Sequence, residues 1–125
     1  MAVDESKHMG LYIHIPFCSR KCDYCDFVSY SMDYKAQQLY LDALFTEIDM
    51  VKRNFYDRTF DSIFIGGGTP SIVYEGFIAS LARKIYSSFH FLDKTEFTIE
   101  VNPSSFTKEK YFEYVQAGVN RISVG

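Results

Sequence analysis

Two hydrophobic periods alternate along this 125-residue chain, and that alternation constrains its fold more than any other feature. Leu11-Tyr12-Ile13-His14-Ile15 has the two-residue period of a strand and is bounded by Gly10 and Pro16. From Tyr34 to about Arg53 the period becomes helical, with Leu41, Leu44, Phe45, Ile48 and Val51 on one stripe. Ser62-Ile63-Phe64-Ile65 is a short apolar strand that runs into three glycines. Glu75 to Phe89 reads as a second helix through Phe77, Leu81, Ile85 and Phe89. Glu96 to Val101 alternates again, with Phe97, Ile99 and Val101 on one face and Thr98, Glu100 and Asn102 on the other. Thr107 is a predicted N-cap for a third helix that carries Phe112 and Val115, and Gly118 a predicted C′ residue. Arg121 to Gly125 begins a fourth strand. The order β-α-β-α-β-α-β predicts an α/β fold with a parallel sheet and right-handed crossovers. A complete α/β barrel needs about 250 residues, so this chain is expected to hold only part of one.

Ligands of such sheets bind beyond the carboxyl ends of the strands. The pattern therefore brings Cys18–Cys25, Gly66–Pro70 and Glu100–Asn102 to one rim. The three cysteines, Cys18, Cys22 and Cys25, are an odd number in a short window and make a poor disulfide framework. Their spacing is C-x3-C-x2-C, and three readings compete. Zinc normally takes four protein ligands, which His8 or His14 would complete in a small interaction module. A ferredoxin-like site lacks its fourth thiolate. A [4Fe–4S] cluster held by three thiolates leaves one iron open to another ligand, and three cysteines fit this case best. The spacing alone does not decide among them.

Gly66-Gly67-Gly68-Thr69-Pro70 follows a strand and precedes a helix. Without Cβ atoms its backbone can be approached closely; its carbonyls can accept from an ammonium group and its amides can donate to a carboxylate. It is neither a P-loop nor G-x-G-x-x-G. A tight βα turn is the plainer reading, although three successive glycines exceed what a turn requires. Thirteen basic and sixteen acidic residues give a net charge of −3, which is no footprint for nucleic acid. No apolar run approaches the length of a membrane span, and positions 1–10 lack the apolar core of a signal peptide. Positions 1–9 are expected to be a flexible leader, positions 10–125 the folded part, and the protein cytoplasmic.

Read together, Tyr12-Ile-His-Ile-Pro-Phe-Cys18-x3-Cys22-x-Tyr24-Cys25, Gly66-Gly-Gly-Thr-Pro70, Ile99-Glu-Val-Asn-Pro103 and Asn120-Arg-Ile-Ser-Val-Gly125 carry a family resemblance. The chain resembles the N-terminal part of a radical S-adenosylmethionine (SAM) protein. More narrowly it is similar to the oxygen-independent coproporphyrinogen III oxidase group, and within it to the haem-chaperone branch, HemW. The resemblance implies a partial (βα) barrel. It implies that Cys18, Cys22 and Cys25 hold a [4Fe–4S] cluster whose open iron binds the amino and carboxylate groups of SAM. Reductive cleavage of SAM would then give a 5′-deoxyadenosyl radical.

The same resemblance places Gly67, Gly68 and Thr69 at the methionine amino end, and Tyr12, Tyr24 and Glu100 at the cofactor or beside the cluster. No catalytic residue is assigned; His14 is the candidate for a proton role. The polar faces of Tyr12 and His14, and of Thr98, Glu100 and Asn102, are expected to point into the barrel. Simpler roles exist for each: packing for Tyr12, a hydrogen bond inside the barrel for His14, a salt bridge to Arg121 for Glu100, and strand termination for Asn102-Pro103. The oxidases carry a further cysteine where this chain has Phe27, and a longer segment before the first cysteine. Both departures favour the chaperone branch over oxidative decarboxylation of coproporphyrinogen. The implied partners are haem or a porphyrin, a haem-acceptor protein, and an electron donor such as flavodoxin or ferredoxin. The haem-binding elements are expected beyond residue 125. Arg121–Gly125 is expected to be an unprotected edge beside a half-open aromatic lumen, and the 125 residues alone are not expected to be a working catalyst.

Overall fold

The computed structural model describes residues 8–18 and 33–125. Strands β1 (His8–Ile15), β2 (Thr59–Gly67), β3 (His90–Val101) and β4 (Arg121–Val124) alternate with helices α1 (Tyr34–Val51), α2 (Phe77–Ser88) and α3 (Lys108–Ala117). Short 3-10 turns follow α1 at Lys52–Phe55 and β2 at Pro70–Ile72. The strands lie side by side in sequence order, and every neighbouring pair is parallel. This is the partial barrel wall expected from the pattern.

Register divides the sheet into two chemical faces. Leu11, Ile63 and Phe97 sit abreast, as do Ile13, Ile65, Ile99 and Ile122. Apart from Ile122 on the edge strand, which is exposed, these rows join Leu41, Leu44, Ile48, Phe77, Ile78, Leu81, Ile85 and Tyr114 of the helices in one core. Each fully buried aliphatic or phenyl group contributes about 1.5–3 kcal/mol. The opposite face carries Tyr12, Phe64, Thr98 and Arg121 in one row, and His14 beside Gly66 in the next. There Tyr12 is 56% and Phe64 36% exposed, so the aromatic lumen is open as expected. β4 pairs with β3 alone among the described strands, and Val124 is 67% exposed.

Local chemistry explains most boundaries. Thr107 caps α3, its side chain accepting from the Lys110 N–H, and Gly118 ends it at φ +103°. A Cβ at Gly118 would also lie 2.9 Å from the Tyr86 hydroxyl. Asn120 then latches the loop to β3, accepting from the Phe97 N–H at 2.9 Å and donating to the Thr95 carbonyl at 3.0 Å. Asp33 caps α1 through the Ala36 N–H.

Two boundaries differ from expectation, and α3 buries a residue that the sequence pattern does not single out. β1 begins at His8, so His8 and Met9 pair with Thr59 and Phe60 instead of belonging to a leader. β3 begins at His90, six residues before its alternation starts, because Phe91 packs into a ring cluster with Phe60 and Tyr86. The register slips between Phe60 and Ser62, so the His90–Thr95 stretch need not alternate. In α3 the core residue is Tyr114, stacked on Phe106, while Phe112 and Val115 stay about half exposed.

Tyr114 is 2% exposed, and its hydroxyl finds no hydrogen-bond partner among the described residues. Burial, with a smaller push from Glu113, holds that hydroxyl far above the ordinary tyrosine value of about 10. The folded state thus prefers the neutral phenol. That preference is fully present below about pH 10 and is lost as pH rises toward the folded value. Tyr114→Phe removes the orphan hydroxyl. It is expected to raise unfolding free energy at pH 7 by about 1 kcal/mol and to flatten the decline above pH 10, both measured by urea denaturation.

Candidate functional site

The site lies where the β1–β2 ladder ends. Ile15 pairs with Gly67 in the last register position, and the hydrogen bonding then runs past the strands. The Gly68 N–H donates to the Ile15 carbonyl at 2.8 Å, and the Thr69 N–H to the Phe17 carbonyl at 2.6 Å. These bonds hold the chain up to Cys18 against the glycine turn. On the helix side the Tyr40 hydroxyl donates to the His14 carbonyl at 2.5 Å, and the Tyr40 ring meets Phe17 edge-on. Burial, with Glu47 and Tyr12 adding to it, pushes the Tyr40 hydroxyl above its ordinary value, so it stays a donor.

Each glycine answers a specific collision. A Cβ at Gly66 would strike Glu100 Oε1 and lie 2.7 Å from the Phe64 ring. At Gly67, where φ is +120°, it would lie 2.5 Å from the Ile15 carbonyl and 2.9 Å from His14. At Gly68 it would lie 2.6 Å from the Phe17 carbonyl and 2.7 Å from Cys18 Sγ. Real Cβ atoms do not approach other atoms this closely; at Gly67 and Gly68 the obstacle is backbone, so those two positions need glycine, while at Gly66 a Cβ would displace the Glu100 carboxylate. The plain-turn reading is therefore insufficient: the glycines admit β1, Glu100 and Cys18 to one point.

Glu100 accepts from the Gly67 N–H at 3.0 Å through Oε1. The amides of Gly67, Gly68 and Thr69 are thus all engaged by protein acceptors. What the turn offers a ligand is acceptor chemistry: carbonyls, and a carboxylate beside them. That polarity suits a cation such as an ammonium group, and the amides are not available to a carboxylate. Glu100 does not pair with Arg121, which instead reaches Glu96 at 3.0 Å on the exposed face.

The other predicted residues separate. Tyr12 and His14 share the lumen face, with the Tyr12 hydroxyl 3.2 Å from His14 Nδ1 and the Tyr12 ring stacked on Phe64. Thr98 also lies on that face, 1% exposed, with a hydroxyl that takes no partner among the described residues. Asn102 has the plainer role. Its Oδ1 accepts from the Ser104 N–H and hydroxyl and turns the chain after β3. Cys22, Tyr24, Cys25 and Phe27 lie outside the described residues.

His8 sits at the far end of β1, 4.0 Å from Asp61. A strand of that length separates it by about 23 Å from the end of β1 that leads to Cys18, so the two do not share a site. Of the three cysteines the structure describes Cys18, which stands at the rim beside a side-chain-free turn and an acidic group, surroundings that suit a thiolate ligand.

A polar cluster behind the turn escaped the sequence reading. Ser71 Oγ and Ser105 Oγ meet at 2.6 Å, and the Asn102 N–H donates to Ser71 Oγ. Lys110 Nζ donates to the carbonyls of Ser71, at 2.5 Å, and of Ser105. Burial lowers the Lys110 value, while Glu113 and Glu75 act the other way. Serines and a lysine scattered over 39 positions carry no pattern that predicts this meeting.

The profile of the radical SAM superfamily matches residues 12–125. The haem chaperone HemW of Haemophilus influenzae is 41% identical over 122 residues, covering 94% of this chain and 32% of that protein. HemW of Buchnera aphidicola from Schizaphis graminum is 38% identical over 118 residues, with 94% and 31% covered. The chain thus spans about a third of the length of the curated relatives it matches. The structure of Escherichia coli coproporphyrinogen III oxidase, HemN, described as a radical SAM enzyme, superposes with a TM-score of 0.84 at 32% identity. That match covers 93% of this chain and 27% of the other. With the parallel half-barrel, the cysteine rim and the glycine turn in place, this chain belongs to the radical SAM superfamily.

Proposed function

We propose that this chain is the N-terminal, cofactor-holding part of a haem chaperone. In this reading Cys18, Cys22 and Cys25 hold a [4Fe–4S] cluster and SAM lies beside it on the rim. When bound, the reduced cluster supplies the electron that cleaves the sulfonium carbon–sulfur bond of SAM. The chain's own residues do the binding and orienting. Gly66, Gly67, Gly68 and Thr69 present carbonyls, and Glu100 a carboxylate, to the methionine ammonium group. Tyr12 lines the lumen beside them, Tyr24 flanks the cluster, and the His14 imidazole is oriented by the Tyr12 hydroxyl.

One observation carries the reading. The Gly68 backbone lies so close to Cys18 Sγ that a methyl group cannot stand between them. A turn that only reversed the chain would have no reason to press on a thiol.

The chaperone assignment is supported by the 36–41% identity to HemW proteins, and Phe27 stands where the oxidases carry a further cysteine. The partners that follow are haem or a porphyrin, a haem-acceptor protein and a flavodoxin- or ferredoxin-like electron donor, in the cytoplasm. Among the described residues no helix is long and apolar enough to cross a membrane. The oxidase reading has the likeness to HemN in its favour.

Anaerobic reconstitution with iron and sulfide is expected to load a cluster whose EPR spectrum changes when SAM is added. Cys18→Ser should abolish both the cluster and the change. A folded protein that takes up no iron would sink the proposal. In a full-length version of the protein, haem is expected to bind without consumption of coproporphyrinogen; turnover would assign it to the oxidases instead. Gly68→Ala is expected to cost about 1–3 kcal/mol in thermal or urea unfolding and to lower the iron content after reconstitution.

A further inference from the structure

The sheet parts in its middle before it reaches the rim. The β2–β3 ladder ends at the pair Ile65 and Ile99. β2 then stays with β1 as far as Gly67, and β3 stays with β4 as far as Val101. The two halves meet again where the Asn102 N–H donates to Ser71 Oγ at 3.0 Å. Between these joints the β2 side runs from Ile65 to Ser71, the β3 side only from Ile99 to Asn102. The longer side, which carries the glycines, cannot run straight beside the shorter one. A cavity of about 70 Å³ opens between Gly68–Pro70 and Glu100–Asn102. Glu100 reaches across the parting, its Oε1 accepting from the Gly67 N–H at 3.0 Å.

The outer joint is held by a closed ring of hydrogen bonds. The Asn102 N–H donates to Ser71 Oγ, which lies 2.6 Å from Ser105 Oγ. The Ser105 hydroxyl donates to the Asn102 carbonyl, so the proton between the two serines comes from Ser71. Lys110 Nζ then donates to the carbonyls of Ser71 and Ser105, and one ammonium group binds both sides of the parting. Ser71 is fully buried and Ser105 nearly so. A buried polar network whose members are all engaged holds one geometry. Lys110 is itself placed by Thr107, whose hydroxyl accepts from its N–H at the start of α3. None of these three side chains lines the cavity.

We infer that Ser71, Ser105 and Lys110 are positioning residues. They set the width of the β2–β3 parting, and through it the distance at which Glu100 meets an ammonium ligand lodged against the Gly66–Thr69 carbonyls. The inference deepens the proposed SAM site and rests on that reading for the identity of the ligand. The positioning itself is measurable without a ligand.

Two neighbouring amides report the two spacings. The Gly67 N–H bonds to Glu100 across the parting, and the Gly68 N–H bonds to Ile15 within the β1–β2 half. Lys110 bonds to neither. Lys110→Met keeps the apolar stem and loses the charged donor. In the cluster-free chain, NMR-detected hydrogen exchange of this variant is expected to be about tenfold faster at Gly67 and unchanged at Gly68. Ser71→Ala, which opens the ring, should move Gly67 in the same direction. Equal acceleration of both amides would reveal a loss of stability alone and overturn the inference. So would wild-type Gly67 exchange in both folded variants.

The ligand arm uses the reconstituted protein in equilibrium dialysis against SAM and against its analogue with hydrogen in place of the amino group. Lys110→Met is expected to weaken SAM binding about tenfold and analogue binding by less than about twofold. Equal weakening of both ligands, or of neither, would overturn the link from the ring to the ammonium group. A wild-type protein that does not prefer SAM to the analogue overturns the proposed ammonium site instead. The exchange of Gly67 against Gly68 then decides the positioning claim by itself.

Discussion

The structure depends on a ladder that does not stop at the end of its strand. Beyond Ile15 and Gly67, the Gly68 and Thr69 amides keep bonding to the β1 side, at Ile15 and Phe17. The first cysteine is therefore an extension of the sheet. A loop cysteine would lose side-chain and backbone freedom each time it bound a ligand, at roughly 1–2 kcal/mol per ordered residue. Here that ordering is done by folding. The condition is steric: the backbone of β1 and the segment after it comes so close at Gly67 and Gly68 that only glycine fits there, while Gly66 makes room for the Glu100 carboxylate. The glycines, the carboxylate of Glu100 and the thiol of Cys18 are therefore one arrangement, and a change in any one displaces the other two.

The two faces of the sheet divide the labour. The helix-covered face, with Ile13, Ile15, Ile63, Ile65, Phe97 and Ile99, supplies the burial that makes the chain fold. The lumen face holds groups that a core would not tolerate: His14, Glu96, Glu100 and Arg121, with the large rings of Tyr12 and Phe64 between them. A one-residue slip of any strand would exchange the two sets, sending Glu100 toward the helices and Ile99 into the lumen. Register is thus fixed by the core, and the lumen chemistry is placed as a consequence.

That coupling explains what could be seen in the sequence. Periodicity reports which residues face the core, so the β-α order, the parallel sheet and the lumen positions of Tyr12, His14, Thr98 and Glu100 were legible. Capping chemistry is local, so Thr107 and Gly118 were legible as well. Contacts between distant side chains and backbone have no period. Tyr40 reaching the His14 carbonyl, Asn120 latching β3 and the Ser71–Ser105–Lys110 cluster were invisible for that reason. The start of β3 was hidden differently: the register slip and the ring cluster around Phe91 hold a stretch that does not alternate. Gln37 was the one signal left unread. A glutamine four residues before Leu41 on an otherwise apolar stripe is visible in the sequence alone.

Beyond that extended ladder the rim is held by single polar side chains. Ser71, Ser105 and Lys110 fasten the turn after β2 to the turn after β3. Gln37 and Tyr74 fasten it to α1, and Glu113 reaches from α3 to the Gly76 and Ala79 amides at the start of α2. Each joins an element to its neighbour in space rather than in sequence. Lys110 donates to two carbonyls at once, and although burial lowers its proton affinity, Glu113 and Glu75 act the other way. Charge-assisted bonds of this kind are roughly twice as strong as neutral ones. The rim can therefore be rigid without sheet structure, which a site assembled from the ends of several strands requires.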